Sequence, residues 1–198
     1  MQYSILSCSC ERTYEIKKSK FIAYAQHASN RGQALKVLAD VKLRYPDARH
    51  HCWAYLIGQP QSPNTMAMSD DGEPSGTAGK PILNVLQHGD IGNLIVVVSR
   101  YFGGIKLGAG GLVRAYSTAT QQLLDSATTN TYEPVIRIKI VSDYHQEQYS
   151  RHLLQLANAE VSNVNYTEHV TLIATIPQSK IEALKEQLQA HQISIAVL

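Results

Sequence analysis

The chain has no run of about 18 apolar residues, the length a membrane-spanning helix needs. Its first residues, Met1–Cys10, show no basic start leading into an apolar block, so no secretory leader is expected. Cysteine is scarce and odd in number, at Cys8, Cys10 and Cys52. That count argues against a secreted disulfide framework and for a reducing, cytoplasmic setting. Cys8 and Cys10 are too closely spaced for the usual zinc pair, and no second pair follows. Neither charge dominates: 18 Lys and Arg face 16 Asp and Glu, a net +2 that by itself signals neither nucleic acid nor membrane. The sequence also lacks G-x-S-x-G, H-E-x-x-H and any other nucleophile motif centred on serine.

What is present suits a globular α+β protein. Apolar residues make up 44 % of the 198 and charged residues 17 %, enough for a core and far from a disordered composition. Glycine divides the chain: ten of the twelve lie between Gly72 and Gly111, and none follows. Charge divides it too, with residues 1–131 at net +4 and 132–198 at net −2. The polar stretch Thr128–Thr131, shortly before Pro134, reads as a linker between two domains, 1–131 and 132–198.

In the second domain, apolar alternation predicts strands around Val135–Val141, Val161–Tyr166, Val170–Ile176 and Ile193–Val197. Helices are predicted after Asp143, as an N-cap, and after Pro177. The order β-α-β-β-α-β implies a ferredoxin-like sandwich, a fold that hosts many functions and names none. In the first domain, strands are expected near Tyr14–Lys17, Phe21–His27 and His51–Ile57, and a loop over Gln59–Asn64. Helices are expected over Ser29–Tyr45, Pro81–Gln87 and Gly110–Ser126. The continuous apolar run Leu94–Val98 predicts a buried central strand.

Two segments carry the candidate chemistry. The first, Ser69–Pro81, places Asp70, Asp71 and Glu73 on a tight turn. Such a group could hold a divalent cation through oxygen ligands, grip an arginine or cap a helix. Gly79-Lys80 is not a P-loop, because Pro74 stands at the first glycine position and Pro81 replaces the magnesium-binding hydroxyl. The second segment, Arg100–Tyr116, runs from the predicted central strand into a helix. Gly103, Gly104, Gly108, Gly110 and Gly111 permit close backbone approach. Arg100, Lys106 and Arg114 supply cations, and Tyr101 and Phe102 supply stacking surfaces. A helix start preceded by glycines offers free N–H groups to an anion. Phosphate contacts combined with aromatic stacking are the physics of single-stranded nucleic-acid binding. The same residues also fit close helix–strand packing, and the dinucleotide pattern G-x-G-x-x-G is not met, since Val113 holds its third glycine position. On a strand, His50 and Cys52 share one face and His51 takes the other, which suits a half-buried strand, a Cys–His nucleophile pair or metal ligation, with His50 as a proton-moving accessory in a hydrolase.

At these residues the sequence resembles the IMPACT family, in its bacterial branch. The resemblance rests on Ser69–Pro81, on Arg100–Gly104 and on Leu107–Tyr116, with His50 and Cys52–Tyr55 in support. It covers about residues 15–125 in detail, and residues 132–198 look like the small C-terminal domain of bacterial members. It implies an N-terminal domain with the fold of the second domain of a small-subunit ribosomal protein, and a C-terminal domain similar to the last domain of elongation factor G. Eukaryotic relatives regulate translation by binding a partner of a stress kinase. The function expected here is therefore translation-associated binding of RNA or the ribosome through the basic glycine segment. A protein-interaction adaptor and a metal-assisted hydrolase stand as alternatives. No cofactor is expected beyond a divalent cation at the acidic turn, and no membrane contact.

Overall fold

The computed structural model describes residues 2–198. The chain forms two compact units, one over Tyr3–Tyr132 and one containing Glu133–Leu198. Both are α+β.

The larger unit is built on a five-stranded antiparallel sheet. In chain order its elements are β1 (Tyr3–Leu6), β2 (Cys10–Ile16), β3 (Ser19–His27), α1 (Arg31–Arg44), β4 (His50–Gln59), β5 (Ser62–Ser69), α2 (Gly79–His88), β6 (Leu94–Tyr101), α3 (Ala109–Asp125) and β7 (Thr129–Tyr132). The sheet order is β2-β3-β6-β4-β5, which puts the apolar run Leu94–Val98 at its centre. That run is apolar at every position because both faces of β6 are covered. Leu94, Val96 and Val98 pack with Ile82, Leu86, Leu112, Tyr116 and Leu123 of α2 and α3. Ile95 and Val97 pack with Ala34, Val37 and Val41 of α1. Burying side chains of this size stabilises the fold by roughly 1.5–3 kcal/mol each. Helix α1 starts where Asn30 Oδ1 accepts the Gln33 amide at 2.9 Å and ends just before Pro46.

Three expectations need correction. Thr128–Thr131 is not a free linker: Thr129–Tyr132 is β7, paired antiparallel with β1 from Tyr3↔Tyr132 to Leu6↔Thr129. Gln59–Asn64 is not a loop: β4 continues to Gln59, and β5 begins at Ser62 after a tight turn. Pro63 is tolerated because β5 is an edge strand and the register shifts beside it, between Ile57 and Gly58. The strand placed near Tyr14–Lys17 begins earlier, at Cys10, and stops at Ile16. Lys17 and Lys18 form the turn to β3, both with positive φ.

The smaller unit comprises β8 (Val135–Ser142), α4 (Glu147–Leu156), β9 (Glu160–Tyr166), β10 (Val170–Pro177), α5 (Ile181–Ala190) and β11 (Ser194–Val197). Its sheet order, β11-β8-β10-β9, is the ferredoxin-like arrangement expected from the sequence. Asp143 caps the chain leading into α4, through a capping box with Gln146. Ile138, Ile140, Leu172, Ala174 and Ile176 form a core with Leu153, Leu184 and Leu188. Among the described residues, no helix is long and apolar enough to cross a membrane.

Candidate functional site

Three separated segments of the sequence, around His50, Glu73 and Arg100–Leu112, form one cleft in space. In the register of β4 with β6, His50 lies opposite Arg100 and Cys52 opposite Val98. Side chains alternate along a strand, so His50, Cys52, Val98 and Arg100 all face α2 and α3. The acidic turn after β5 and the glycine segment after β6 meet above this face. Between them lies a cleft of about 430 Å³. Gly72, Glu73 and Pro74 line it from the turn, and Arg100, Phe102, Lys106, Leu107, Gly108, Ala109 and Leu112 from the glycine segment. Arg49 and His50 close it from β4 and the residue before it.

The acidic turn is braced from within. Asp70 Oδ1 accepts the amides of Ala78 and Gly79 at 3.0 and 2.8 Å, and Oδ2 that of Gly76 at 2.8 Å. Burial alone would raise its pKa; these three N–H groups outweigh burial and hold it below the usual carboxylate value. Asp71 sits at φ 42° and accepts the His51 amide at 2.7 Å and the Lys42 ammonium at 3.2 Å. Burial again opposes the shift, and the His51 amide and Lys42 keep this carboxyl low as well. The Asp71 carbonyl accepts from His50 Nδ1 at 2.8 Å, which orients that imidazole at the cleft.

Glu73 is buried, and its Oε1 accepts both Arg100 Nη1, at 2.5 Å, and the Tyr116 hydroxyl, at 2.9 Å. Cys52 Sγ lies 3.3 Å from that hydroxyl and 2.9 Å from the Asp70 carbonyl. Burial pushes the Cys52 thiol up to about 12 and the Tyr116 hydroxyl far above its ordinary value. Cys52 therefore stays a thiol, which removes it as a nucleophile. The three carboxylates serve separate donors: Asp70 the amides of Gly76, Ala78 and Gly79, Asp71 the His51 amide and Lys42, and Glu73 Arg100 and the Tyr116 hydroxyl. Among the described residues, no three His, Cys, Asp or Glu side chains are grouped as the ligands of a metal would be.

The start of α3 forms part of the cleft lining, through Gly108, Ala109 and Leu112. Gly108 is its N-cap at φ 73°, and no side chain caps the helix, so its first amides have no intrahelical acceptor. Arg100 is 7 % exposed, yet its Nε has no hydrogen-bond partner. Its guanidinium lies 5.4 Å from the Phe21 ring and 5.7 Å from that of Phe102, which is 46 % exposed.

The sequence-predicted residues separate clearly. Glu73, His50, Arg100, Phe102, Lys106 and Gly108 line the cleft. Asp70 and Asp71 hold its wall rather than line it. Gly110 and Gly111 lie in the first turn of α3 and Gly104 in the loop before it. Gly103 is a packing residue: a Cβ there would lie 2.0 Å from the Lys18 backbone. Tyr101 and Arg114 also fall outside the lining. Tyr101 follows Arg100 on β6, and alternation sends it to the other face. Arg114 sits on the exposed surface of α3. The residue missed from sequence is Arg49, whose place depends on its amide bonding the Arg100 carbonyl at 3.1 Å. No local pattern marks it; only the β4–β6 register does.

The Impact N-terminal domain description matches residues 17–124, and a domain of unknown function, DUF1949, matches 140–190. An IMPACT family member of Haemophilus influenzae is 41 % identical over 174 residues, 88 % of this chain and 84 % of that protein. The IMPACT family member YigZ of Escherichia coli is 38 % identical over 174 residues, covering 88 % and 85 %. An IMPACT homologue of Saccharomyces cerevisiae is 36 % identical over 111 residues, 54 % of this chain and 42 % of its own. A solved structure described only as a hypothetical protein superposes with a TM-score of 0.72 at 34 % identity, covering 100 % of this chain and 97 % of the other. With cleft, acidic turn and glycine segment all inside the matched region, the chain belongs to the IMPACT family.

Proposed function

We propose that this protein is a cytoplasmic, translation-associated regulator that binds RNA, free or displayed on the ribosome, through the cleft between the acidic turn and the start of α3. The observation that carries this reading is the cation set of the cleft: Arg49, Arg100 and Lys106 line it against the one carboxylate Glu73. Glu73 takes only one donor of Arg100, at Nη1, and an entering phosphate oxygen would add a charge-assisted hydrogen bond to the guanidinium donors that Glu73 leaves. The uncapped amides of α3 and the Lys106 ammonium supply further donors for the same anion. Phe102 offers a face on which a base can stack. The acidic turn has a structural role here. Glu73 holds Arg100 in place, and Asp70 and Asp71 hold the turn that carries Glu73.

The test is a titration with single-stranded RNA and with ribosomes at several salt concentrations. Each phosphate neutralised on a single strand contributes about −0.7 to the log–log slope of affinity against salt. A slope near −2, shallower by about 0.7 in Lys106→Ala, supports the proposal. Unchanged RNA affinity and slope in Lys106→Ala overturn it. Ribosome binding with little salt dependence would also overturn it, in favour of a protein contact.

A further inference from the structure

We infer that the cleft recognises a terminal phosphate monoester, the phosphorylated end of an RNA strand or a single nucleotide, rather than the phosphodiesters within a strand. This rests on the phosphate-binding reading above and makes it more specific.

The first argument is charge. Arg49, Arg100 and Lys106 line the cleft against the single carboxylate Glu73, a formal excess of two positive charges with histidine counted neutral. An internal phosphodiester carries one negative charge. A phosphate monoester carries about 1.5 to 2 at neutral pH, and it presents three strong acceptor oxygens in place of two. Charge excess and donor supply both match the monoester. The donors come from separate elements, with Arg100 on β6 and the uncapped amides at the start of α3. The Cβ position of Gly110, in the first turn of α3, meets no atom within 4 Å, so the helix start is open to a close-approaching oxygen.

The second argument is size. About 430 Å³ falls within the range of pockets for small molecules and is on the scale of a single nucleotide unit. The walls beyond the charged groups are apolar: Pro74, Leu107 and Leu112, with Phe102 at the exposed rim. A sugar and base attached to a phosphate held at Arg100 would meet this surface next. Glu73 Oε1 takes one Nη1 donor of the guanidinium at 2.5 Å and Nε is buried, so a ligand meets Arg100 through the remaining Nη donors.

The experiment compares three labelled RNA oligonucleotides of one sequence, with a 5′-phosphate, a 3′-phosphate or hydroxyls at both ends, by fluorescence anisotropy. Adenosine 5′-monophosphate, adenosine and inorganic phosphate serve as competitors. The expected result is at least tenfold tighter binding of one phosphorylated end over the hydroxyl-ended strand. Adenosine 5′-monophosphate should compete, and adenosine should not. Arg100→Lys, which keeps a cation for Glu73 but removes the guanidinium donors that Glu73 does not use, should abolish the preference; a thermal melt of this variant establishes that it is folded. If all three strands bind equally and Lys106→Ala still weakens them, RNA binding stands and the terminal-phosphate inference falls. If the mononucleotide binds and no strand does, the inference stands for free nucleotides and the RNA reading falls. Absence of binding by every probe overturns both.

Discussion

Arg100 Nη1 donates to Glu73 Oε1 at 2.5 Å across two elements that are far apart in sequence, and the pair is almost entirely buried, at 8 % and 3 % side-chain exposure. The same carboxylate oxygen also accepts the Tyr116 hydroxyl from α3. One oxygen thus ties β6, the acidic turn and the long helix together beneath the cleft. Fully partnered, such a group orders its surroundings; with one member removed, it leaves a buried charge without compensation.

Glu73→Gln should therefore destabilise the larger unit by about 3–5 kcal/mol, because it strands the Arg100 guanidinium. Tyr116→Phe should cost much less, about 1 kcal/mol, since it deletes a neutral donor and leaves the ion pair intact. Urea denaturation of the two variants measures the difference. Equal losses would mean that the ion pair contributes no more than the hydroxyl bond.

Asp70 predicts an acid-dependent loss of stability. Its folded pKa lies below the unfolded value, and so does that of Asp71. Their contribution is full above the ordinary carboxylate value of about 3.9 and is lost as pH falls below it, through the lower folded value. Asp70→Asn should destabilise by about 1–2 kcal/mol at neutral pH. An asparagine can still accept from Ala78 and Gly79, but its NH2 would then face the Gly76 amide, donor against donor. The variant should also show a flatter urea midpoint between pH 5 and pH 3; parallel curves for the two proteins would contradict the capping role.

The glycines of the second segment should differ sharply in tolerance. Gly103→Ala places a Cβ 2.0 Å from the Lys18 backbone, so β3 and the loop after β6 must separate and the protein should fail to fold. Gly110→Ala meets nothing within 4 Å and sits in the first turn of α3, where alanine is the better helix former by up to about 1 kcal/mol. Expression and thermal melting of both variants check the contrast. A folded Gly103→Ala with unchanged melting temperature would refute the packing assignment.

Arg49 and Arg114 exchange the roles that sequence order suggests. Arg49→Ala should weaken RNA binding and lower the salt slope by about 0.7, because this cation lines the cleft. Arg114→Ala should leave both unchanged, because its side chain lies on the exposed surface of α3, outside the cleft lining. The reverse result would move the proposed nucleic-acid surface from the cleft to the outer face of the helix.

Short-range periodicity and composition were enough to read much of this molecule. The spacing of Ala34, Val37 and Val41 marks α1, the five apolar residues Leu94–Val98 mark the central strand, and alternating segments after Val135 mark the ferredoxin-like unit. Each of these signals is contained within one element, so the linear chain displays it. The acidic turn and the glycine segment were likewise visible as unusual residue types at close spacing. Only the tertiary structure decided that these two segments share a cleft, that Glu73 pairs with Arg100, that Arg49 enters and that Tyr101 and Arg114 do not. It also decided that Thr129–Tyr132 is a strand rather than a linker. The physical reason is the same in every case: these facts depend on strand register and on pairing between distant segments, such as β1 with β7 and β4 with β6. A one-residue shift of register would send every side chain to the opposite face.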